Sequence, residues 1–338
     1  MNKKPRVATA MPWTSELSEP DLDSEIGDGL SSVEQLLWDS IKSDQPLLNE
    51  TSSHLLSAGG KRFRPMLSLL SAQFNDPGRA QVVAGATACE LIHLATLYHD
   101  DVMDEAKLRR GVESANTRWS NSIAILTGDF LFAAAARIIA KLGESVVEVH
   151  TETTKRLVGG QLRETIGWSP GLSPEQHYLK VISDKTASLF AASCQIGASM
   201  AEVSEDGVEC LRRYAEALGM AFQLSDDVLD ICGGDAIGKR AGGDLREGVP
   251  TLPTIYVRDR KHPDDIRLIE LLDSDLADNE ENLNAAIKLL RDHEAIDYTK
   301  DKLKTYVDDS VNALSGLDDV PARGALRVLA ESMITRTM

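Results

Sequence analysis

The sequence has few cysteines and too little positive charge, and each shortage excludes a class of protein. Its four cysteines, Cys89, Cys194, Cys210 and Cys232, lie far apart and form no CxxC pair, which argues against a disulfide framework or a zinc site. Its 36 Lys and Arg residues are outnumbered by 53 Asp and Glu residues, giving a formal net charge of −17 over 338 residues. Such a chain lacks the broad positive field that binds nucleic acid or anionic lipid. Any anionic ligand must therefore meet a local basic cluster.

Long apolar runs are missing as well. The basic residues Lys3, Lys4 and Arg6 are not followed by an apolar run of signal-peptide length. No stretch approaches the ~20 apolar residues of a membrane span. We therefore expect a cytoplasmic protein without a transmembrane segment. The hydrophobic fraction of 42% is ample for a sizeable buried core.

Strand patterns are scarce, and apolar residues recur at helical spacing almost throughout. Residues 1–30 are acidic and carry Pro20 and Gly27 without a sustained apolar period, so we expect a loose leader there. Residues 31–338 are predicted to form one domain, an all-α structure built as a single large helical bundle. The predicted helical runs cover Val82 to Met103 and about 121–141, 144–165, 175–202, 206–232 and 251–260.

The first cluster suited to chemistry is a DDxxD motif at the end of an apolar helical run. Asp100 and Asp104 are one helical turn apart, and Asp101 lies three residues before Asp104, so these carboxylates can converge. Bringing carboxylates together costs free energy unless they share a cation. Mg²⁺ can be that cation, because it bridges carboxylates to phosphate oxygens while keeping several waters. Taken alone, the motif is equally compatible with a solvated acidic helix end.

A second copy of the same spacing strengthens the metal hypothesis. Asp226, Asp227 and Asp230 repeat DDxxD in another apolar helical run, and Gln223 lies one turn earlier on the same face. Solubility alone does not explain two acidic clusters that are flanked by apolar residues. The pair indicates a diphosphate held through divalent metal.

Two basic segments supply the positive charge that an anionic ligand needs. A glycine turn leads into Lys61 and Arg64, while Arg109 and Arg110 follow the first aspartates by one to two turns. Arginine binds phosphate oxygens bidentately, and lysine supplies a mobile point charge. Each segment alone is commonly a surface turn. Together with two DDxxD motifs, they indicate a site for phosphate groups.

The ordered set of motifs resembles the trans-isoprenyl diphosphate synthase family, also called polyprenyl synthetases, and is most similar to its long-chain members. The similarity runs from about Leu30 to Pro253 and implies the isoprenoid synthase type of helical bundle, with a central cavity. One departure is Val249, where many relatives carry a lysine. The matching segments are, in family order, 60–65, Leu91–His93, Asp100–Asp104, Arg109–Gly111, Gly128–Leu131, Gly159–Gln161, Asp184–Ala187, Phe222–Asp230 and Gly238–Gly248.

The resemblance implies a role for each matching position. Asp100, Asp104 and Asp226 would hold Mg²⁺, three ions per active site with Mn²⁺ able to substitute, and the other motif aspartates would support them. His93 alone would be interpreted as a core histidine on an apolar helix. The implied catalytic residues are Asp100, Asp101, Asp104, Lys185, Asp226, Asp227 and Asp230; the allylic diphosphate ligands are Arg109, Lys185, Thr186, Gln223 and Lys239; the isopentenyl diphosphate ligands are Lys61, Arg64, His93 and Arg110.

The implied activity is that of a trans-polyprenyl diphosphate synthase, a prenyltransferase, with a homodimer as the expected assembly. Metal and cationic side chains neutralise the allylic diphosphate as its C–O bond breaks, which stabilises charge that develops in the transition state. The alkene of isopentenyl diphosphate then attacks the allylic cation, and transfer of a proton to the departing diphosphate completes the step. No Ser or Cys nucleophile is required.

Residues one turn before Asp100 bear on product length. Each helical turn rises ~5.4 Å, comparable to one isoprene unit, so bulk at each level of the helix can cap a growing tail. Ala95 and Thr96 are small, where short-chain relatives often carry aromatic residues. Tight helix packing explains an alanine there equally well, but the resemblance favours a heptaprenyl to decaprenyl product.

Three alternatives remain at this point. A short-chain synthase making farnesyl or geranylgeranyl diphosphate shares the chemistry and would have a shallower pocket. A non-catalytic subunit of a heteromeric synthase would be expected to lose one acidic motif, and both are intact here. A terpene cyclase also uses DDxxD chemistry, but the second basic segment argues against it. The Glu-x-x-His pairs of a di-metal carboxylate bundle are missing.

Overall fold

The computed structural model describes residues 19–167, 171–233 and 241–337, and almost every element in these ranges is helical. The all-α prediction is confirmed. The α-helices are α1 Pro20–Ser40, α2 Pro46–Ser57, α3 Phe63–Ala72, α4 Ala80–Met103, α5 Ala115–Arg118, α6 Asn121–Ile139, α7 Glu144–Ile166, α8 Pro174–Ile182, α9 Ser188–Met200, α10 Glu205–Cys232, α11 Gly243–Glu247, α12 Leu252–Arg260, α13 Ile266–Leu272, α14 Glu280–Arg291, α15 Glu294–Ala313 and α16 Pro321–Thr335.

Shorter elements join these helices. A π-helical turn, Ser183–Ala187, lies between α8 and α9, so the predicted run 175–202 is not one continuous α-helix. Strands β1, Leu108–Arg109, and β2, Val112–Glu113, form a small antiparallel hairpin just after the first acidic motif. The sequence pattern did not predict either feature. The described ranges also contain the 3₁₀ turns Pro263–Asp265 and Leu314–Gly316.

Helix α1 corrects the expectation of a loose leader through residue 30. The helix starts at Pro20, and proline suits the first turn because that N–H needs no partner within the helix. Leu22, Ile26 and Leu30 recur every fourth residue and are buried. Acidic residues and glycines separate these apolar positions in the sequence, so the apolar period alone did not predict the helix. Residues 1–18 of the predicted leader lie outside the described ranges.

The helices α4 and α6 are long and apolar enough to cross a membrane by length and composition alone. That makes them weak candidates, because core helices of water-soluble proteins pass the same test. In the apolar 18-residue segment of α4, 61% is buried inside the protein, whereas 39% of the corresponding segment of α6 is buried. The low share reflects an exposed apolar face on α6 that includes Ile125 and Leu126.

The chain divides into two compact units, each discontinuous in sequence. Unit 1 comprises Met1–Thr153, Leu189–Arg212 and Gly316–Leu326, and unit 2 comprises Thr154–Ser188, Arg213–Ser315 and Arg327–Met338. The single catalytic domain over residues 31–338 stays a prediction.

In unit 1, α4 is the central element and buries most of its length. Its contact with α6 is so close that a methyl group added at Gly128 would lie 3.2 Å from the carbonyl oxygen of Ala95 and against the ring of His99. The fully buried Tyr98 donates a hydrogen bond to the Thr51 carbonyl of α2. These contacts fix the helix that carries the first acidic motif.

In unit 2, the C-terminal half of α10 packs on the helices that follow it in sequence. Val228 and Ile231 belong to an apolar cluster with Val257, Leu271 and Leu290, from α12 to α14. The second acidic motif lies on the same half of α10. The cysteines predicted to be unpaired are all free thiols.

Candidate active site

The first acidic motif lies at the C-terminal end of α4. Asp100 is half-buried, Asp104 is exposed and caps the helix, and the Asp104 N–H donates to the Asp100 carbonyl at 2.8 Å. The side chains of these two residues are therefore one turn apart on one face, as the spacing predicted. Both carboxylates are accessible to a ligand.

Asp101 occupies a different environment within the same motif. It is fully buried, and its Oδ1 accepts a 2.6 Å hydrogen bond from Nε of Arg109 on β1. Burial raises the pKa of Asp101, although Arg109 partly offsets this. Its Oδ2 is buried and has no hydrogen-bond partner in the protein. The residue ties the hairpin to the helix and leaves one oxygen for a group that the protein does not supply.

In unit 1, Arg64 and Arg110 lie near His93, and Lys61 is on the turn just before α3. These four residues, predicted to bind isopentenyl diphosphate, are called the basic pocket below. Lys61 is exposed, whereas the other three are partly buried. Burial lowers the pKa of Arg64 to about 10 and lowers that of Arg110. Burial, followed by the neighbouring arginines with Arg64 foremost, holds the pKa of His93 well below its usual range. The histidine is therefore neutral at pH 7.

Specific contacts orient the two arginines of the basic pocket. The Arg64 guanidinium lies 5.0 Å from the centre of the Phe190 ring, a cation–π distance, and its Nε is buried without a partner. Arg110 donates from Nη1 to the Leu55 carbonyl at 3.1 Å and to the Gly59 carbonyl. An unpaired donor on a buried guanidinium is costly, so an anionic ligand is the expected partner.

Arg62, which was not assigned a role from the sequence, supports this pocket. Its backbone is in the left-handed region with φ 49°, and its side chain is almost fully buried. Nε donates to Glu34 at 2.9 Å, and Nη1 donates to Glu90 at 3.1 Å. Burial alone would lower the pKa of Arg62, but Glu90 and Glu34 outweigh that effect and raise it. The turn that presents Lys61 is thus anchored to α1 and α4.

The second acidic motif lies on α10 in unit 2. Asp226 is partly exposed and receives a hydrogen bond from the Arg336 guanidinium. That guanidinium also bonds to the Ser225 hydroxyl at 2.6 Å and stacks 4.9 Å from the centre of the Phe222 ring. Nothing in the local sequence around Arg336 indicated this contact, because the partners are 110 residues apart.

Asp227 is buried and its carboxylate is saturated by protein donors. It accepts from the Tyr178 hydroxyl, from Gln223 Nε2 at 3.3 Å and from the Leu252 N–H at 3.3 Å. Burial raises its pKa to about 7, even though these hydrogen bonds oppose the shift. Asp227 joins α8, α10 and α12. The contact with Gln223 confirms that the amide shares a face with the motif.

Asp230 connects α10 to the short helix α11. Its two carboxylate oxygens accept the N–H groups of Gly243 at 2.9 Å and Asp244 at 3.1 Å. Burial and the neighbouring Asp230 raise the pKa of Asp244 to about 8. Asp244 adds a further carboxyl group beside the motif, one that the DDxxD spacing did not predict. Lys239, the predicted phosphate ligand nearby, lies outside the described residues.

The predicted allylic diphosphate ligands Lys185 and Thr186 lie on the π-helical turn of unit 2. Lys185 contacts the Glu164 carboxylate of α7, and the Thr186 hydroxyl donates to Gln223 Oε1 at 3.0 Å. Thr186, Gln223 and Asp227 are thereby linked by hydrogen bonds. The structure brings together three of the predicted residues on α10 and the π turn.

The residues fit a hard divalent cation, though not one held by protein alone. Within the described ranges, no three Asp, Glu, His or Cys side chains converge closely enough to hold a metal by themselves. Mg²⁺ binds typically through one or two carboxylates, waters and substrate phosphates. In unit 1, Asp100 and Asp104 are accessible carboxylates of that kind, and the unpartnered Asp101 Oδ2 can accept from a metal-bound water. In unit 2, Asp226 is a partly exposed carboxylate of the same kind.

Of the two chain-length residues, only one reaches the accessible face of α4. Ala95 is fully buried against α6, whereas Thr96 is partly exposed. The partly exposed positions His93, Thr96, Leu97 and Asp100 follow the helical repeat on one face.

Known proteins resemble this chain over nearly its whole length. It matches the polyprenyl synthetase family over residues 45–290. It is 42% identical over 310 residues to a nonaprenyl diphosphate synthase of Mycobacterium tuberculosis, covering 91% of this chain and 92% of that protein. It is 33% identical over 310 residues to an octaprenyl diphosphate synthase of Escherichia coli, covering 91% and 95%.

Solved structures agree in fold. The crystal structure of a geranylgeranyl pyrophosphate synthase from Corynebacterium glutamicum, complexed with calcium and isoprenyl diphosphate, matches with a TM-score of 0.86 at 38% identity. The match covers 95% of this chain and 99% of that chain.

Proposed function

Because the chain belongs to the polyprenyl synthetase family, we propose that it is a trans-polyprenyl diphosphate synthase that extends an allylic diphosphate by repeated condensation with isopentenyl diphosphate. The observation that carries this proposal is the presence of two intact acidic motifs together with a basic pocket in an otherwise acidic chain. Arg64 and Arg110 lie beside His93, and the buried Arg64 Nε has no partner in the protein, which an anionic ligand would supply.

We assign roles to the residues as follows. Asp100, Asp104 and Asp226 are the accessible carboxylates that hold Mg²⁺, with three ions per active site and Mn²⁺ as a substitute. Asp101, Asp227 and Asp230 hold the surrounding elements in place. The allylic diphosphate ligands are Arg109, Lys185, Thr186, Gln223 and Lys239, and the isopentenyl diphosphate ligands are Lys61, Arg64, His93 and Arg110.

The reaction needs orientation and charge rather than a protein nucleophile. When bound, Mg²⁺ supplies charge neutralisation to the leaving diphosphate as its C–O bond breaks. Lys185 and Thr186 bind the same leaving group, and their interaction strengthens as negative charge builds there. The basic pocket binds the second diphosphate and thereby orients the alkene that attacks the allylic cation. The neutral His93 donates or accepts a hydrogen bond without adding charge.

The product is proposed to be long, of heptaprenyl to decaprenyl length. The nonaprenyl and octaprenyl synthases that resemble the chain support this, as does the small side chain of Thr96 on the partly exposed face of α4. The second candidate is a short-chain product, and the similarity to a geranylgeranyl pyrophosphate synthase favours it.

The test is incubation of the purified protein with Mg²⁺, isopentenyl diphosphate and farnesyl diphosphate, followed by chromatography of the dephosphorylated products. Chains of 35 to 50 carbons are expected on this proposal. A product that stops at the geranylgeranyl length establishes the short-chain alternative. Absence of condensation would contradict catalysis by this chain alone and favour the non-catalytic subunit.

We also propose that the protein is a cytoplasmic homodimer that associates through α6. This helix exposes Ile125 and Leu126, with 42% and 58% of their surfaces accessible, beside the exposed Ala133 and Ala136. An apolar helix face on a chain with a net charge of −17 is best covered by an identical face, because a C2 interface pairs the same patch on both copies.

A further inference from the structure

The π-helical turn Ser183–Ala187 carries Lys185 and Thr186, and its shape requires support. π-helices are rare, occur mostly as single turns and are frequent at functional sites. The turn replaces the ordinary α-helical path between α8 and α9. Side chains on such a turn point in directions that a continuous α-helix would not give them. The surrounding residues must therefore hold the turn in place.

Asp184 is the buried anchor of this turn. Only 2% of the residue is exposed, and its carboxylate contacts three cationic groups. Arg156 Nε donates at 3.0 Å, Arg163 Nη1 at 2.6 Å and Lys180 Nζ at 3.1 Å. Removing one member of a buried ion pair leaves uncompensated charge and is strongly unfavourable. The three cations thus fix the position of Asp184, the residue directly before Lys185.

Arg156 binds the backbone of the same turn. Its Nη2 donates to the Ser183 carbonyl at 3.0 Å, and its Nη1 donates to Glu216 on α10 at 3.1 Å. The arginine therefore connects α7, the π turn and α10.

Gly160 allows α7 to lie directly against the turn. A methyl group added at Gly160 would be 2.6 Å from the backbone nitrogen of Lys185 and 3.0 Å from the carbonyl carbon of Asp184. Backbone atoms at those distances cannot move without moving Lys185. A methyl group at the preceding Gly159 would meet the Arg163 guanidinium, at 3.5 Å from Nη1 and 3.9 Å from Nη2, and both are ordinary contacts. A side chain is therefore excluded at Gly160 but can be accommodated at Gly159.

We propose that Asp184 and Gly160 are positioning residues, which fix the π turn so that Lys185 and Thr186 present their side chains to the allylic diphosphate. The proposal rests on the proposed function, because it assumes that these two residues bind that substrate. It assigns a purpose to the Gly-Gly-Gln segment and to the aspartate of the Asp-Lys-Thr-Ala segment. Neither residue contacts substrate itself.

The test compares Gly160→Ala with the matched control Gly159→Ala in steady-state kinetics. KM is measured separately for farnesyl diphosphate and for isopentenyl diphosphate, with Mg²⁺ saturating. Gly160→Ala is expected to raise KM for farnesyl diphosphate by about tenfold, the scale of one lost hydrogen bond to a charged group. KM for isopentenyl diphosphate is expected to stay at the wild-type value. Gly159→Ala should change neither constant.

Asp184→Asn is an independent variant. It should likewise raise KM for farnesyl diphosphate and leave KM for isopentenyl diphosphate unchanged. If both variants fail to fold, Arg163→Gln is used, because its side chain is 35% exposed and its replacement leaves Arg156 and Lys180 on Asp184.

A folded Gly160→Ala enzyme with unchanged KM values would overturn the proposal. So would an equal rise in both constants, or a fall in kcat and melting temperature alone, since these indicate a merely structural role. Inactivity of the wild-type protein would instead contradict the proposed function.

Discussion

Neighbouring carboxylates in the second acidic motif differ in what surrounds them. Asp226 is accessible and paired with Arg336 at the surface, whereas Asp227 is buried and receives three protein hydrogen bonds. The same DDxxD letters thus encode one accessible carboxylate, the proposed metal ligand, and one buried carboxylate bonded to the protein. Asp100 and Asp101 repeat this division in the first motif, where the buried member binds Arg109.

Alanine substitutions are expected to separate these two roles. Asp226→Ala should lower turnover by orders of magnitude with little change in unfolding free energy, because a surface ion pair contributes only about 0–1 kcal/mol. Asp227→Ala should lower the unfolding free energy by about 1–3 kcal/mol, since it leaves the Tyr178 hydroxyl and the Leu252 N–H unpaired. Turnover assays and urea denaturation of both variants check this. Near-normal activity of Asp226→Ala would exclude it as a metal ligand.

The environment of His93 predicts a pH dependence of stability. Burial and Arg64 hold its folded-state pKa well below 6.5, so the unfolded chain binds a proton at this residue before the folded chain does. Stability is therefore unaffected above pH 6.5 and falls as the pH drops below it, by at most about 1.4 kcal/mol per pH unit from one group.

The measurement is the free energy of urea unfolding between pH 7.5 and 5 for the wild type and for His93→Gln. The variant should lose less stability on acidification than the wild type. The half-buried His150 has a pKa lowered by burial and contributes in the same direction, so the dependence should weaken rather than disappear. Identical slopes would show that His93 is protonated in the folded protein.

Among the elements, α1 shows how an acidic sequence can conceal a buried helix. Ile26 is 1% exposed, while its neighbour Glu25 is exposed. Ile26→Ala is expected to lower the unfolding free energy by about 2–5 kcal/mol, because it removes buried methyl groups and leaves a cavity. Glu25→Ala, the matched control, should be nearly neutral. If neither variant changes the melting temperature, the residue is not buried in a packed helix, and the loose leader predicted from the sequence is correct.

The face of α4 determines which small residue can limit the product. Thr96 lies on the partly exposed face with Asp100, whereas Ala95 is packed against α6. Thr96→Phe is expected to shorten the product while condensation continues. Ala95→Phe should mainly lower the melting temperature, because an overfilled core forces strain. Product sizing and melting temperature are measured on the same preparations, and a shorter product from a stable Ala95→Phe enzyme would reverse the assignment.

At the scale of the whole molecule, the surface is strongly acidic but carries an apolar face on α6. If this face joins two copies, Leu126→Asp should place two carboxylates in an apolar interface and dissociate the dimer. Ile266→Asp is the matched control, since both side chains are 58% exposed and Ile266 lies on α13. Light scattering after size exclusion measures the mass. A monomeric wild type, or an unchanged dimer with Leu126→Asp, would contradict the proposed interface.

The sequence alone determined the helical class, the two acidic motifs, the basic segments and the family. The helical class and the acidic motifs depend on spacing within one helix, because a turn of 3.6 residues brings Asp100 near Asp104 whatever the rest of the chain does. For the same reason, the predicted helical runs agree closely with α6, α7, α10 and α12. The basic segments and the family follow from short motifs and their order along the chain.

The tertiary structure decided which member of each motif is buried, what holds it and which small residue faces outward. Arg336 meets Asp226 across 110 residues, and Tyr178 meets Asp227 across 49 residues. The π turn that carries Lys185 is held by the contacts of Asp184 and by the close approach of helix α7. No local sequence pattern predicted these contacts. Burial and partners of this kind come from long-range packing, whereas local spacing constrains only the faces of a single helix.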